Sequence, residues 1–192
     1  MLIVVRHGRT AANASGLLLG RRLDPPLDPL GERQADALAP AVASARRVVA
    51  SPLLRARQTA ERLGLPVSVD ERWAEIDYGR LDGTPMAEVP PETWARWRED
   101  ADWAPEEGES LRALGARIRP ACEDLLEEAE SHDVVVVSHV SPIKAAVAWA
   151  LGVGDEVAWR MFTAPASVTR IAVRDGRPSL HGYNDTSHLS GA

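Results

Sequence analysis

Short apolar runs alternating with helix-like segments constrain this chain more than any other feature. Leu2–Val5 and Val134–Val137 are uninterrupted apolar stretches, the pattern of strands buried on both faces. Arg47–Ala50, Val67–Val69, Val168–Val173 and Leu180–Tyr183 complete the candidate strands. Helical segments alternate with several of them. Gly31–Ser44 is alanine-rich and follows Asp28-Pro29, and Leu53–Leu63 ends at Gly64, a C-cap residue. Ser110–Ala129 opens on a capping serine, and Pro120 is expected to kink or divide it. Pro142–Leu151 has proline in its first turn and Gly152 past its end. This alternation predicts one three-layer α/β/α domain over residues 1–192, with a largely parallel central sheet.

The composition narrows the setting. The chain has 192 residues, enough for one sizeable core, and shows no repeat, low-complexity stretch or linker. Cys122 is the only cysteine, so no intramolecular disulfide can form and a cytoplasmic location is expected. Its helical spacing with Leu114, Ile118 and Leu125 marks it as a core residue. No membrane span and no secretory leader are visible. A net charge of −6 argues against general nucleic-acid binding. Lys144 is the lone lysine among 22 basic residues, so each arginine has to be judged by its position.

Chemistry concentrates at the ends of the predicted strands. The first strand stops at Arg6-His7-Gly8, Arg47–Ala50 runs into Ser51-Pro52-Leu53-Leu54-Arg55, and Val134–Val137 leads to Ser138-His139. Parallel strands would bring His7, Arg55 and His139 to one rim, where ligands bind in open α/β sheets. Arg6 and Arg55 can make forked, charge-assisted bonds to oxyanions, and backbone N–H groups at the two helix starts favour the same ligands. Two histidines and two arginines in one crevice suit a phosphate group. Phosphoryl transfer also needs a proton donor for the leaving oxygen. Glu75 and Asp77, in Trp73-Ala74-Glu75-Ile76-Asp77-Tyr78-Gly79, are both candidates. Like charge from a bound phosphate favours a protonated carboxyl, the form that can act as general acid.

The chemistry that follows is nucleophilic. Neutral His7 attacks phosphorus in line, forming a phosphohistidine. Arg6, Arg55 and His139 stabilise the charge on the equatorial oxygens. A carboxyl protonates the departing alkoxide and later takes a proton from the attacking water. A bond from the other ring nitrogen of His7 to a backbone carbonyl is expected to fix its tautomer.

At these residues the chain resembles the histidine phosphatase superfamily, which includes the cofactor-dependent phosphoglycerate mutases. Arg6-His7-Gly8-Arg9-Thr10 with Asn13 resembles the nucleophile motif. Gly20-Arg21, Asp24-Pro25-Pro26-Leu27 and Gly31 with Gln34-Ala35 resemble the next block. Ser51 through Ala60 resembles the second-arginine motif, Glu75 with Gly79 and Gly83 the acid-donor motif, and Gly108-Glu109-Ser110 the block opening the long helix. Ser138-His139 resembles the second-histidine motif, and Asn184-Asp185 with His188-Leu189 the tail. The ordered series spans nearly the whole chain and is far more specific than one tripeptide. The resemblance implies a phosphate pocket of Arg6, His7, Arg55 and His139, with Glu75 rather than Asp77 as acid. It also implies substrate contacts from Thr10, Asn13, Gly20, Arg21 and the backbone at Val140, and no metal or other cofactor. Arg9, Ala12, Val140 and Leu81-Asp82 depart from the residues usual at their positions.

The expected activity is hydrolysis of a small phosphorylated metabolite. A mutase is the second reading, disfavoured because residues 82–109 are short and acid-rich, with Arg96 and Arg98 their only arginines. That segment is expected to be a short helical insertion over the active site. Trp94, Trp97 and Trp103 are read as its anchors to the core, with direct substrate contact the alternative. A non-catalytic phosphate sensor would need the arginines but neither a nucleophile nor an acid. Lys144, on the helix after His139, is expected to extend to solvent. His132 and His181 are read as structural, and His188 as packing the tail.

Overall fold

The computed structural model describes residues 1–191. Six strands form one sheet: β1 Leu2–Arg6, β2 Ala45–Ala50, β3 Val67–Val69, β4 Asp133–Ser138, β5 Val168–Arg174 and β6 Arg177–Asp185, in the order β3-β2-β4-β1-β5-β6. β3, β2, β4 and β1 pair in parallel, and β5 runs antiparallel to both β1 and β6. The carboxyl ends of β1, β2 and β4 therefore share one rim, as the site requires. The helices are α1 Ala11–Ala14, α2 Pro29–Leu38, α3 Leu54–Glu61, α4 Pro91–Glu99, α5 Leu111–Glu123, α6 Leu126–Ser131 and α7 Val140–Leu151. No described helix is long and apolar enough to cross a membrane.

Alternation along the central strands makes the three layers. Leu2 and Val4 of β1, with Val134 and Val136 of β4, join a core with α5, α7 and α4. Ile3, Val5, Val135 and Val137 point the other way, onto α2 and α3. All eight are buried. Burying one such side chain is worth about 1.5–3 kcal/mol. The three-residue β3 is exposed throughout, as suits a short edge strand.

Helix boundaries follow local chemistry. Asp28 caps α2 by accepting from Gly31 N–H (2.8 Å), so the helix begins ahead of the predicted Gly31. It ends at Leu38, and Pro40, which lacks an N–H, falls in a 3₁₀ turn, Ala39–Val42. Ser110 caps α5 as expected. The 110–129 helix is divided, but at Asp124–Leu125, beyond Pro120, which α5 accommodates. α7 starts at Val140, so Pro142 occupies a first-turn position whose N–H would have no intrahelical acceptor. Gly152 ends it in the left-handed conformation (φ 65°).

In residues 82–109, α4 packs by Trp97 into an aromatic cluster with Tyr78, Trp94, Trp103 and Trp159. Trp97 is fully buried, which fits the anchoring reading. Cys122 is buried too, and burial pushes its thiol far above the usual range.

Candidate active site

The cleft opens at the rim of β1 and β4, with a volume of about 350 Å³. Arg6, His7, Asn13, Glu75, Tyr78, Val140 and Lys144 are among the residues that line it. Leu17, Leu18, Met86, Met161 and Phe162 add an apolar part of the lining.

His7 directly follows β1. Its Nδ1 lies 2.6 Å from the carbonyl oxygen of Gly8. That bond assigns the proton to Nδ1 and leaves the Nε2 lone pair free. Burial, then Arg55 and Arg6, hold the imidazole well below its usual pKa. His7 is therefore neutral, as a nucleophile must be. Gly8 N–H donates to Thr59 Oγ1 (3.0 Å), which in turn donates to the Arg55 carbonyl (2.8 Å). Gly8 and Gly31 meet backbone to backbone: a Cβ on Gly31 would sit 1.9 Å from the Arg9 carbonyl oxygen.

Arg6 donates to the Thr163 carbonyl (2.6 Å). Its Nε is buried without a partner, and it makes no ion pair among the described residues. Burial pushes Arg6 down to about 10, against the pull of Glu75 and Tyr78. Arg55 and His139 are fully buried beneath the cleft. Arg55 donates from Nη2 to the Gly20 carbonyl (2.7 Å), from Nη1 to the Leu23 carbonyl (3.2 Å) and from Nε to His139 Nδ1 (3.3 Å). Its one carboxylate contact among the described residues, Asp24, is 3.5 Å away. With Nδ1 accepting, His139 donates from Nε2 to Ser51 Oγ (2.7 Å). Both its ring nitrogens are thus used inside the protein. Its ring lies 5.0 Å from that of His7.

Glu75 and Asp77, close in sequence, are set apart by geometry. Glu75 lines the cleft and is buried, its Oε1 accepting from Ile76 N–H (2.8 Å) and Ser141 N–H (3.1 Å) in the first turn of α7. Asp77 instead closes a local turn, accepting from Gly79 N–H (2.8 Å). The Glu75 carbonyl accepts from Arg21 Nε (2.6 Å) and Arg117 Nη2 (3.2 Å). Glu109 ties those two arginines together, at 2.7 Å from Arg21 Nη2 and from Arg117 Nε.

Three of the expected substrate contacts lie elsewhere. Thr10 is fully buried and caps α1 in a reciprocal box with Asn13. Asn13 Oδ1 accepts from Thr10 N–H (3.1 Å) and its hydroxyl (3.0 Å), which turns the amide nitrogen outward. Gly20 supports Arg55, and Arg21 the Glu75 backbone. Asn13 and Val140 do line the cleft. At α3 the helix start is taken by the protein's own Asp24 carboxylate, which accepts from Leu54 N–H (2.9 Å). The predicted anion role of that N-terminus is thus met within the protein. Lys144 lines the cleft instead of extending fully to solvent. His188 Nε2 is 3.0 Å from the Ala166 carbonyl oxygen, holding the loop that meets Arg6. Thr59, Arg117, Tyr78 and Thr163 were not singled out as site residues. Thr59, Tyr78 and Glu109 stood inside the quoted motifs, whereas Arg117 and Thr163 carry no local signal.

Similar proteins place this arrangement. Bifunctional protein Rv2228c of Mycobacterium tuberculosis is 35% identical over 98% of the chain. The chain spans about half of that protein's length, 54%. Phosphoserine phosphatase 1 of Hydrogenobacter thermophilus is 33% identical, over 98% of the chain and 93% of the relative. The phosphoserine phosphatase of Entamoeba histolytica, solved in complex with 3-phosphoglyceric acid, superposes with a TM-score of 0.89 at 27% identity, covering 98% of each chain. Residues 2–186 match the family model of the histidine phosphatase superfamily, branch 1. With that match and these relatives added to the His7–Glu75 cleft, the chain belongs to the histidine phosphatase superfamily.

Proposed function

We propose that the chain is a phosphomonoesterase that hydrolyses a small phosphorylated metabolite through a phosphohistidine on His7, without a metal or other cofactor. The observation that carries this is electrostatic. Two guanidinium groups, the fully buried Arg55 and the half-buried Arg6, flank a neutral, tautomer-fixed histidine, and Arg6 has a buried, unpaired Nε and no carboxylate partner among the described residues. An anion resolves that imbalance. The kinship to phosphoserine phosphatases supports the same chemistry. The net charge of −6, and the lack among the described residues of a helix long and apolar enough to cross a membrane, give no support to nucleic-acid or membrane partners. The buried lone cysteine is compatible with the cytoplasm.

In the first step His7 Nε2 attacks phosphorus and the ester P–O bond breaks. Arg6, the amide nitrogen of Asn13 and the Val140 N–H face the phosphoryl oxygens. Arg55 and His139 add their support from the floor. The Glu75 carboxyl gives its proton to the leaving oxygen. In the second step Glu75 takes a proton from water, which attacks the phosphohistidine and releases inorganic phosphate, leaving His7 neutral and Glu75 protonated again. Residues 82–109 act as a substrate-facing insertion, a reading supported by Met86 in the cleft wall.

Incubation with a labelled phosphomonoester is expected to trap an acid-labile, alkali-stable phosphoenzyme. His7→Ala is expected to abolish it and to lower hydrolysis of p-nitrophenyl phosphate more than about a thousandfold. Full activity in His7→Ala would overturn the mechanism, and loss of wild-type activity in chelator would point to a metal enzyme.

A further inference from the structure

The backbone that carries Glu75 belongs to no helix or strand. Residues 75–77 therefore have no ladder to fix them. Among the described residues their one backbone partner is the Glu109 N–H, which donates to the Asp77 carbonyl (2.8 Å). Side chains from elsewhere hold the rest. The Glu75 carbonyl accepts from two guanidinium groups, Arg21 Nε at 2.6 Å and Arg117 Nη2 at 3.2 Å. Two cations on one oxygen repel each other unless an anion lies between them. Glu109 is that anion. Its Oε2 accepts from Arg21 Nη2 (2.7 Å) and Arg117 Nη2 (2.9 Å), and its Oε1 from Arg117 Nε (2.7 Å). The Asp77 N–H approaches Oε2 as well, at 3.4 Å. Neither arginine pairs with another carboxylate among the described residues. Arg117 also donates to the Arg72 carbonyl, just ahead of this segment. The Glu109 side chain is only 14% exposed, so salt screens these pairs little. None of the three side chains lines the cleft. They converge instead on the backbone of the one carboxyl that has to reach a leaving oxygen, where a displacement of about 1 Å can cost about a hundredfold in rate.

We infer that Glu109 is a positioning residue for the proton transfer. By holding Arg21 and Arg117 together on the Glu75 carbonyl, it sets where the Glu75 carboxyl stands relative to the leaving oxygen. This rests on the phosphomonoesterase reading above and adds to it a residue that acts on the acid without touching the substrate.

The test uses the dependence on the leaving group, which a merely structural role would not move. Glu109→Gln keeps the side-chain shape and removes the charge. It is expected to lower kcat for ethyl phosphate by about 10- to 100-fold, and the loss on p-nitrophenyl phosphate, whose leaving oxygen needs little help from an acid, to be about tenfold smaller. KM is expected to stay within about threefold for both. In a Glu75→Gln background the same change is expected to cost ethyl phosphate nothing further. Equal losses on the two esters, a loss confined to KM, no loss on either, or an undiminished second loss beside Glu75→Gln would each overturn the inference. Should urea titration show that Glu109→Gln does not fold, Arg21→Gln, at a side chain 33% exposed, carries the same comparison with the same outcomes. The Ser141 N–H donates to Glu75 Oε1 (3.1 Å), so its amide NMR signal reports the place of the carboxyl without turnover. Glu109→Gln is expected to shift that signal, and an unmoved signal would overturn the inference. If the wild type does not hydrolyse p-nitrophenyl phosphate, the phosphatase reading fails, while the Ser141 signal still decides on Glu109.

Discussion

Gly8 N–H has one acceptor, the Thr59 hydroxyl at 3.0 Å, and through it the nucleophile loop is held to α3. Thr59→Val keeps the side-chain shape but leaves a buried N–H unpaired, at a cost of about 1–3 kcal/mol. The variant is expected to unfold at lower urea and to lose about tenfold in kcat as the His7 ring loses its fixed carbonyl partner. Thr59→Ser, which restores the acceptor, is expected to recover most of both. A Val variant equal to wild type would show that the loop is held by other contacts. Glu75 calls for a different comparison. As the proton donor it matters most when the leaving oxygen is basic. Glu75→Gln is therefore expected to slow an alkyl phosphate by at least about tenfold more than p-nitrophenyl phosphate, and an equal loss on both would remove it from that role. His7 and Arg6 were legible in the sequence because they stand at the end of an apolar run. Arg21 and Thr10 were legible as motif members but not in their positions: one grips the Glu75 carbonyl and the other caps a helix. Those partners lie across the fold, and no local pattern encodes them.

Elements set the site through one close approach. The first turn of α2 packs on the loop after β1 through Gly8 and Gly31, with no side chain between the two backbones. Asp28 fixes that turn, capping α2 while it pairs with Arg9 at 2.8 Å. Gly31→Ala would drive its methyl into the Arg9 carbonyl, and such overpacking costs about 1–3 kcal/mol. The variant is expected to lose that much stability in urea and to fall in kcat, because the displaced backbone carries His7. Gly182→Ala is the control: nothing lies within 4 Å of its added methyl. Normal activity in Gly31→Ala would show that α2 can shift without moving the nucleophile. At this scale the strands were legible as short apolar runs, and the helices between them as capped periodic segments. The antiparallel direction of β5 was not legible, because Val168–Val173 has the same apolar character whichever way it pairs. Nor was the break at Asp124–Leu125, where Pro120 was the visible signal and the helix ended beyond it.

Across the whole molecule the charges are unevenly placed. The chain carries −6 overall, yet its centre holds half-buried Arg6, buried Arg55 and two buried histidines against Glu75. Burial and the arginines hold both His7 and His139 well below the ordinary histidine range, so both are neutral in the fold. Unfolded, each takes up a proton once the pH falls below about 6.5. The unfolded state then binds more protons than the native state, so stability falls as the pH falls. The stabilisation of the neutral rings is fully present above about 6.5 and is lost progressively below it, until the folded-state pKa values are reached. Two such groups together cost about 3 kcal/mol per pH unit in the lower part of that window. Against a total stability of about 5–15 kcal/mol, that is decisive. Carboxylates held by arginines, such as Asp70 and Asp28, contribute only near and below about pH 4, a separate window. The free energy of urea unfolding is therefore expected to drop steeply between about pH 6.5 and about pH 5. His7→Gln is expected to remove roughly half of that slope. A slope in His7→Gln equal to that of the wild type would mean that His7 takes its proton within the folded state, and would remove the neutral nucleophile on which the proposed chemistry depends.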